Sequence, residues 1–188
     1  LHLCDYNLEN INIKKKIDND TLLADVCMAA KYEGESITLN YPKYEAIYEG
    51  SGHTPCTMLA RSFADIGDIV RGRDLYRGGG RGRKQLDDSL KNIFGKIYDD
   101  VTSTNGKLKT RYGSDKENYY KLREDWWDAN RETVWKALTC HAPPDAQYFR
   151  GTCGSDEKTA SLADVQCRCP NGNNQVPTYF DYVPQYLR

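Results

Sequence analysis

The only three tryptophans of the chain, Trp126, Trp127 and Trp135, fall within ten positions of the stretch "REDWWDANRETVWKALTC", residues 123–140. Their spacing is helical. Leu122, Trp126 and Ala129 form one stripe, and Trp127, Asn130, Arg131, Val134 and Leu138 a neighbouring one. Together they give a wide apolar face able to touch more than one partner helix. Three buried indoles at ~150–250 Å² each are worth about 11–19 kcal/mol gross, an upper bound before entropy. The chain has 188 residues, few aliphatics and 14 tyrosines. A core reading of the tryptophans therefore suffices, ahead of a sugar-stacking platform or an active site.

Cross-links are the second constraint. Seven cysteines, Cys4, Cys27, Cys56, Cys140, Cys153, Cys167 and Cys169, suggest an oxidising compartment and a disulfide framework. The odd count implies a partner outside this sequence. Residues 141–178 are polar and cysteine-rich, so disulfides rather than a core are expected to order them. Cys140, Cys153, Cys167 and Cys169 are candidates to pair among themselves.

Elsewhere the chain reads as helices. Residues 21–31 have a helical apolar pattern, with Asp20 or Thr21 as cap. Residues 32–53 carry Gly, Pro and Tyr without a period and read as a loop. Thr54 followed by Pro55 starts a long helix over about 54–75. Leu59, Phe63, Ile66 and Val70 share its face. Gly67 inside it costs about 1 kcal/mol against Ala, which implies close packing there. Leu86, Leu90, Ile93, Ile97 and Val101 mark a second helix over about 84–102. Residues 102–107 form a turn cluster. Ser114–Glu117 reads as a capping box that starts a third helix, running over about 115–140. The segment 179–188 begins another apolar-periodic element. No signal peptide opens the chain, and both termini look cut. No apolar run approaches a membrane span. The fold class is all-α.

Chemistry is sparse. Cys167-Arg168-Cys169 lacks zinc-knuckle spacing, and His2, His53 and His141 sit in no catalytic motif. No enzymatic activity and no cofactor are expected. Net charge is −1, so nucleic acid is not an expected partner. The local exception is the Gly-rich segment 71–84, with Arg71, Arg73, Arg77, Arg81, Arg83 and Lys84 against the single acid Asp74. It is neither a Walker loop nor a dinucleotide fingerprint. Its arginine forks suit sulfate and phosphate, so a sulfated glycan is its candidate ligand. Arg81 and Arg83, flanked by glycines, are expected to contribute most. Residues 14–16, three lysines, form a second basic spot. Asn19-Asp20-Thr21 fits the short N-glycosylation pattern.

The blocks "LHLCDYNLENI", "CMAAKYEG", "LARSFADIGDIVRGRDLY" (59–76), "NYYKLREDWWDANRETVWKALTC" (118–140), "CRC" (167–169) and "VPTYFDYVPQYLR" (176–188) closely resemble the Duffy-binding-like domain of the malaria-parasite erythrocyte membrane protein 1 adhesins, more narrowly its alpha class. The resemblance covers essentially the whole chain apart from the variable loops. It implies a disulfide-linked helical fold of three subdomains, here truncated before the third. Residues 1–55 would form a loop-rich first subdomain and 56–188 a helical-bundle second. It implies the extracellular part of a membrane protein on the infected red-cell surface, binding host erythrocyte or endothelial receptors and glycans and met by host antibodies. Ligands ascribed to members include heparan sulfate, blood-group sugars and complement receptor 1. Alpha-class domains are associated with rosetting. The alternatives are a protein receptor or blood-group sugar bound elsewhere, or a variable antigenic module presenting neighbouring domains.

Overall fold

The computed structural model describes residues 18–47, 54–74, 81–148, 150–154, 156, 158–170 and 175–188, with backbone alone for 81–83. Among these residues it has five α-helices: α1 (Asn19–Ile47), α2 (Pro55–Arg71), α3 (Arg81–Thr104), α4 (Gly106–Tyr112) and α5 (Tyr120–Leu138). Two short 3-10 turns, Phe180–Tyr182 and Gln185–Leu187, follow. Only isolated bridges, Cys153 with Ser161 and Val165 with Arg168, stand for β-structure among the described residues.

The best-read element is α2. Thr54 caps it by accepting from the Thr57 amide at 3.3 Å, and Pro55 occupies the first turn. Leu59, Phe63, Ile66 and Val70 are all buried. Gly67 lies where a β-carbon would come within 2.8 Å of the Trp127 ring, the close packing its cost implied. On α3, Leu86, Leu90, Ile93 and Ile97 are buried as their period requires.

The tryptophans are core. Trp126, Trp127 and Trp135 are at most 5% exposed. Phe63 of α2 lies 5.1 Å from the Trp127 ring and meets Trp135 edge-on at 5.2 Å. Phe94 of α3 meets Trp126 edge-on at 6.0 Å. The two faces of α5 thus take different neighbours, and one α-helix serves as the axis of the bundle. Ala129, assigned to the first stripe, is instead exposed.

The loop reading of 32–53 is corrected over 32–47, which continue α1. Gly34 is there for helix packing, not for a turn: a β-carbon at that position would run into the Leu138 carbonyl of α5. Pro42 comes after the last buried residue of α1 and is itself exposed, so its missing N–H falls where water can serve the freed carbonyl. Docking on α5 and α2 therefore outweighs the local signals. Gly34→Ala is expected to lower stability by about 3 kcal/mol, since a backbone carbonyl cannot swing aside as a side chain does; a shift in the urea midpoint measures it. The cap of α1 is Asp18, two or three residues earlier than expected. Its carboxylate accepts from the Thr21 amide at 3.0 Å and the Thr21 hydroxyl at 2.8 Å.

Two boundaries also differ. The turn cluster 102–107 is a helix break, after which Asn105 caps the short α4 by accepting from Lys107 N at 3.0 Å. The capping box at 114–117 starts no helix. Asp115 instead accepts from Leu122 N at 3.0 Å, and α5 begins only at Tyr120. Tyr119 stands in the left-handed region with φ 56°. Its ring packs 5.5 Å from Tyr98 of α3, a long-range contact that sets where the helix starts.

The cysteine arm is stapled onto the bundle by Cys56–Cys167, and closed on itself by Cys153–Cys169. The pairing of the four arm cysteines among themselves is thus corrected. Cys167 reaches back to the first turn of α2, and Cys140 is unpaired among the described residues, its Sγ 3.3 Å from Nδ1 of His141. Cys27 is also unpaired among the described residues, and half-burial pushes its thiol up. Cys4 lies outside the described residues. The 179–188 segment is not a helix but a strap of two 3-10 turns laid along α2.

Candidate functional site

The basic segment 71–84 is shorter as a connection than it reads. Residue 71 still belongs to α2 and residue 81 already to α3. Arg71 is not available to a ligand. Its side chain is fully buried, pairs with Asp68 at 3.2 Å and Glu124 at 3.1 Å, and donates from Nε to the Gly67 carbonyl at 2.9 Å. A further Arg71 N–H goes to the Asp181 carbonyl. Contrary to its expected place in a ligand-binding loop, Arg71 sits one turn after Gly67, on the face that meets Trp127, 5.8 Å from that ring.

Arg73 is different. Its side chain is 57% exposed and lies 2.6 Å from the second oxygen of Glu124. Lys84 is exposed. Arg81 and Arg83 lie in the first turn of α3, which contains no acid; their side chains, and Arg77 altogether, lie outside the described residues. Three cations at a helix start run against its dipole.

Both ends of the segment are held by one buried side chain. Arg123 of α5 is fully buried and caps the end of α2, donating to the Val70 carbonyl at 2.6 Å and the Ile69 carbonyl at 3.1 Å. It also reaches Asp87 in the second turn of α3 at 3.4 Å. Gly72 closes α2 in the left-handed region with φ 71°, and a β-carbon there would lie 2.9 Å from the Arg123 guanidinium. The fold therefore delivers Arg73 and Lys84 to the same end of the bundle, at the start of α5.

Beneath this surface lies an ionic network that periodicity does not reveal. Asp181 is buried and accepts from Trp127 Nε1 at 2.9 Å. It also takes a two-point contact from Arg131, both bonds 2.8 Å. The Arg131 guanidinium is ringed by Phe63, Tyr179 and Tyr182 at 5.0–5.8 Å. Arg188 pairs with Asp65 at 3.3 Å and with Asp68. Burial pushes the carboxyls of Asp65 and Asp68 up, and the Arg188 guanidinium pulls them back. Burial also pushes the Tyr182 hydroxyl up, reinforced by its 2.5 Å bond to Asp128. The only sequence signals were the lone acid Asp181 among the aromatics of "YFDYVPQYLR" and Pro184, which interrupts a helix.

Among the described residues no cluster of His, Cys, Asp and Glu is arranged to hold a metal. No helix of the described residues is long and apolar enough to cross a membrane.

Five helices around an indole core, with a polar arm held by two disulfides, define a cross-linked all-α domain among the described residues. The chain belongs to the Duffy binding domain family, whose sequence model matches residues 1–188. It is similar to the N-terminal NTS-DBL1-alpha and CIDR-gamma double domain of the PfEMP1 protein from Plasmodium falciparum, varO strain. Identity there is 42% with a TM-score of 0.74, over 99% of this chain and 25% of that one. It is also similar to the ICAM-1-binding PfEMP1 IT4var13 DBLbeta domain, at 33% identity and a TM-score of 0.68, over 100% of this chain and 39% of that one. The higher identity to the alpha-type relative agrees with the resemblance read from the sequence blocks. The chain spans well under half of either relative's length. Comparison with curated protein sequences gives no match.

Proposed function

We propose that this chain is part of a host-receptor-binding adhesin domain, displayed outside the infected red cell as a portion of an exported membrane protein. The observation that carries this reading is the likeness, over the whole of this chain at 33% identity, to part of a domain described as ICAM-1-binding. The ligand we assign is a sulfated glycan of the heparan sulfate kind, engaged in cytoadherence or rosetting. Arg73, Arg77, Arg81, Arg83 and Lys84 are its proposed contacts. What supports this location is the exposure of Arg73 and Lys84 at one end of the bundle, beside an acid-free first turn of α3. A sulfate bound there would relieve the repulsion of three cations at a helix start. Loops carried on a rigid helical frame are where binding residues ordinarily sit.

A protein receptor is the second reading, favoured by the same relative. A variable surface that meets host antibodies and presents neighbouring domains is the third. The proposed boundary near 55/56 divides topology rather than core, because Leu22, Val26, Ala29 and Ala30 share one apolar cluster with α2 and α5.

The test is binding of the oxidised domain to red cells, with and without heparinase treatment, beside a variant carrying Arg77→Ser, Arg81→Ser, Arg83→Ser and Lys84→Ser. Loss with the enzyme and loss with the variant are both expected. Binding should also fall as salt rises above about 0.15 M, where the screening length is already ~8 Å. Binding that survives both treatments moves the search to a protein or neutral-sugar receptor.

A further inference from the structure

The stretch from Gly106 to Lys121, "GKLKTRYGSDKENYYK", holds five cations, Lys107, Lys109, Arg111, Lys116 and Lys121, against two carboxylates, Asp115 and Glu117. In a chain of net charge −1 this is a local excess. It lies outside the segment 71–84, and local sequence order does not connect the two.

Tertiary structure does connect them. Glu124 and Asp125 are neighbours in the first turns of α5, and each holds an arginine from a different element. Arg73 reaches Glu124 from one flank, 2.6 Å away. Arg111 of α4 reaches Asp125 from the other, through two bonds of 2.7 Å. Hydrogen bonds from Arg111 hold the Asp125 carboxyl below its ordinary range. Between the flanks stands Lys121, exposed, donating from Nζ to the Arg111 carbonyl at 3.1 Å. On an α-helix, positions 121, 124 and 125 share one face. The side chains of Arg73 and Arg111 are 57% and 50% exposed, so each keeps N–H groups turned to water.

On α4 itself, Lys107 lies four residues before Arg111. Like charges at that spacing repel by a few tenths of a kcal/mol, and among the described residues Lys107 and Lys109 have no ion-pair partner. The ridge is thus a row of cations on rigid elements, with acids that orient two of its arginines and do not cancel the row. A flexible polyanion with charges spaced along its length fits such a row better than a single phosphate does.

We propose that α4 and the start of α5 form a second cationic subsite, with Lys107, Arg111 and Lys121 as its contacts, and that one sulfated polysaccharide chain runs from Arg73 across α5 onto α4. The ligand class rests on the sulfated-glycan reading above; the place of this subsite does not depend on residues 77–84.

The experiment is equilibrium binding of the oxidised 188-residue domain to immobilised heparin at several salt concentrations. The wild type is compared with Lys107→Ser/Lys121→Ser, with the charge-keeping Lys107→Arg/Lys121→Arg, and with the Arg77, Arg81, Arg83, Lys84 to Ser variant. Both altered lysines are exposed, and thermal melts confirm that each variant is folded. The serine pair is expected to bind about tenfold more weakly near physiological salt, with a shallower salt dependence, and the arginine pair as wild type. Serine-pair binding equal to wild type overturns the subsite while leaving the 77–84 reading in place. Loss in the serine pair with none in the 77–84 variant supports the subsite and overturns the other location. Equal loss in the serine and arginine pairs overturns a charge role. Absence of heparin binding by the wild type overturns both.

Discussion

Replacing Cys56 and Cys167 together by alanine is expected to lower the stability of the domain by about 4–5 kcal/mol. The bond joins residues 111 apart in sequence, from the first turn of α2 to the cysteine arm. Everything from α2 to α5 lies inside the loop it closes. Chain-entropy arguments put a loop near that length at ~4.7 kcal/mol, against ~3 kcal/mol for the short loop closed by Cys153 and Cys169, which are 16 residues apart. Both sulfurs of the long bridge belong to fully buried residues, so alanine there also leaves small voids. Trp135 donates to the Cys167 carbonyl at 3.1 Å, which makes tryptophan fluorescence a local reporter of the staple. The measurement is urea denaturation of the oxidised wild type beside each double alanine variant. A larger loss for the long bridge is expected; equal losses would reject the loop-length account.

Asp181→Ala is expected to cost about 3–5 kcal/mol, the range for removing one partner of a buried ion pair. The carboxylate is shared by Arg131 and Trp127, so its loss leaves the Trp127 indole N–H without its acceptor and the Arg131 guanidinium, ringed by Phe63, Tyr179 and Tyr182, with the Thr178 carbonyl but no anion. It also unpins the strap from α5. Replacing both charges, Asp181→Leu with Arg131→Met, should recover most of the loss, because the stranded charge goes with its partner. Chemical denaturation followed by tryptophan emission measures both variants. A loss under about 1 kcal/mol for Asp181→Ala would show that the network is solvated and the strap loosely held.

Cross-linking, a helical fold and an indole core were legible in the residues, and so was the family. The amphipathic periods of α2 and α3 and the Thr54-Pro55 start each express energies settled within a few turns of chain. Arg71 shows where such reading stops. In sequence it is one of six cations around a Gly-rich stretch; in the fold it is buried under Trp127 and bound by Glu124, 53 positions away. No local pattern separates it from Arg73, two residues on, which is exposed. The α4–α5 cationic ridge escaped for the same reason, since Glu124 and Asp125 draw in arginines from elements distant in sequence.

By itself, then, the sequence determined the class of fold, the helices whose apolar period is unbroken, the aromatic core and the family. Tertiary structure decided how far α1 runs past Gly34, where α5 begins, which cysteine takes which, and which arginines face water. Local propensities and caps differ by about 1 kcal/mol per position. A backbone carbonyl against Gly34, a ring packed on Tyr119, or a buried carboxylate facing two donors outweighs them, and each of these partners comes from a remote part of the chain.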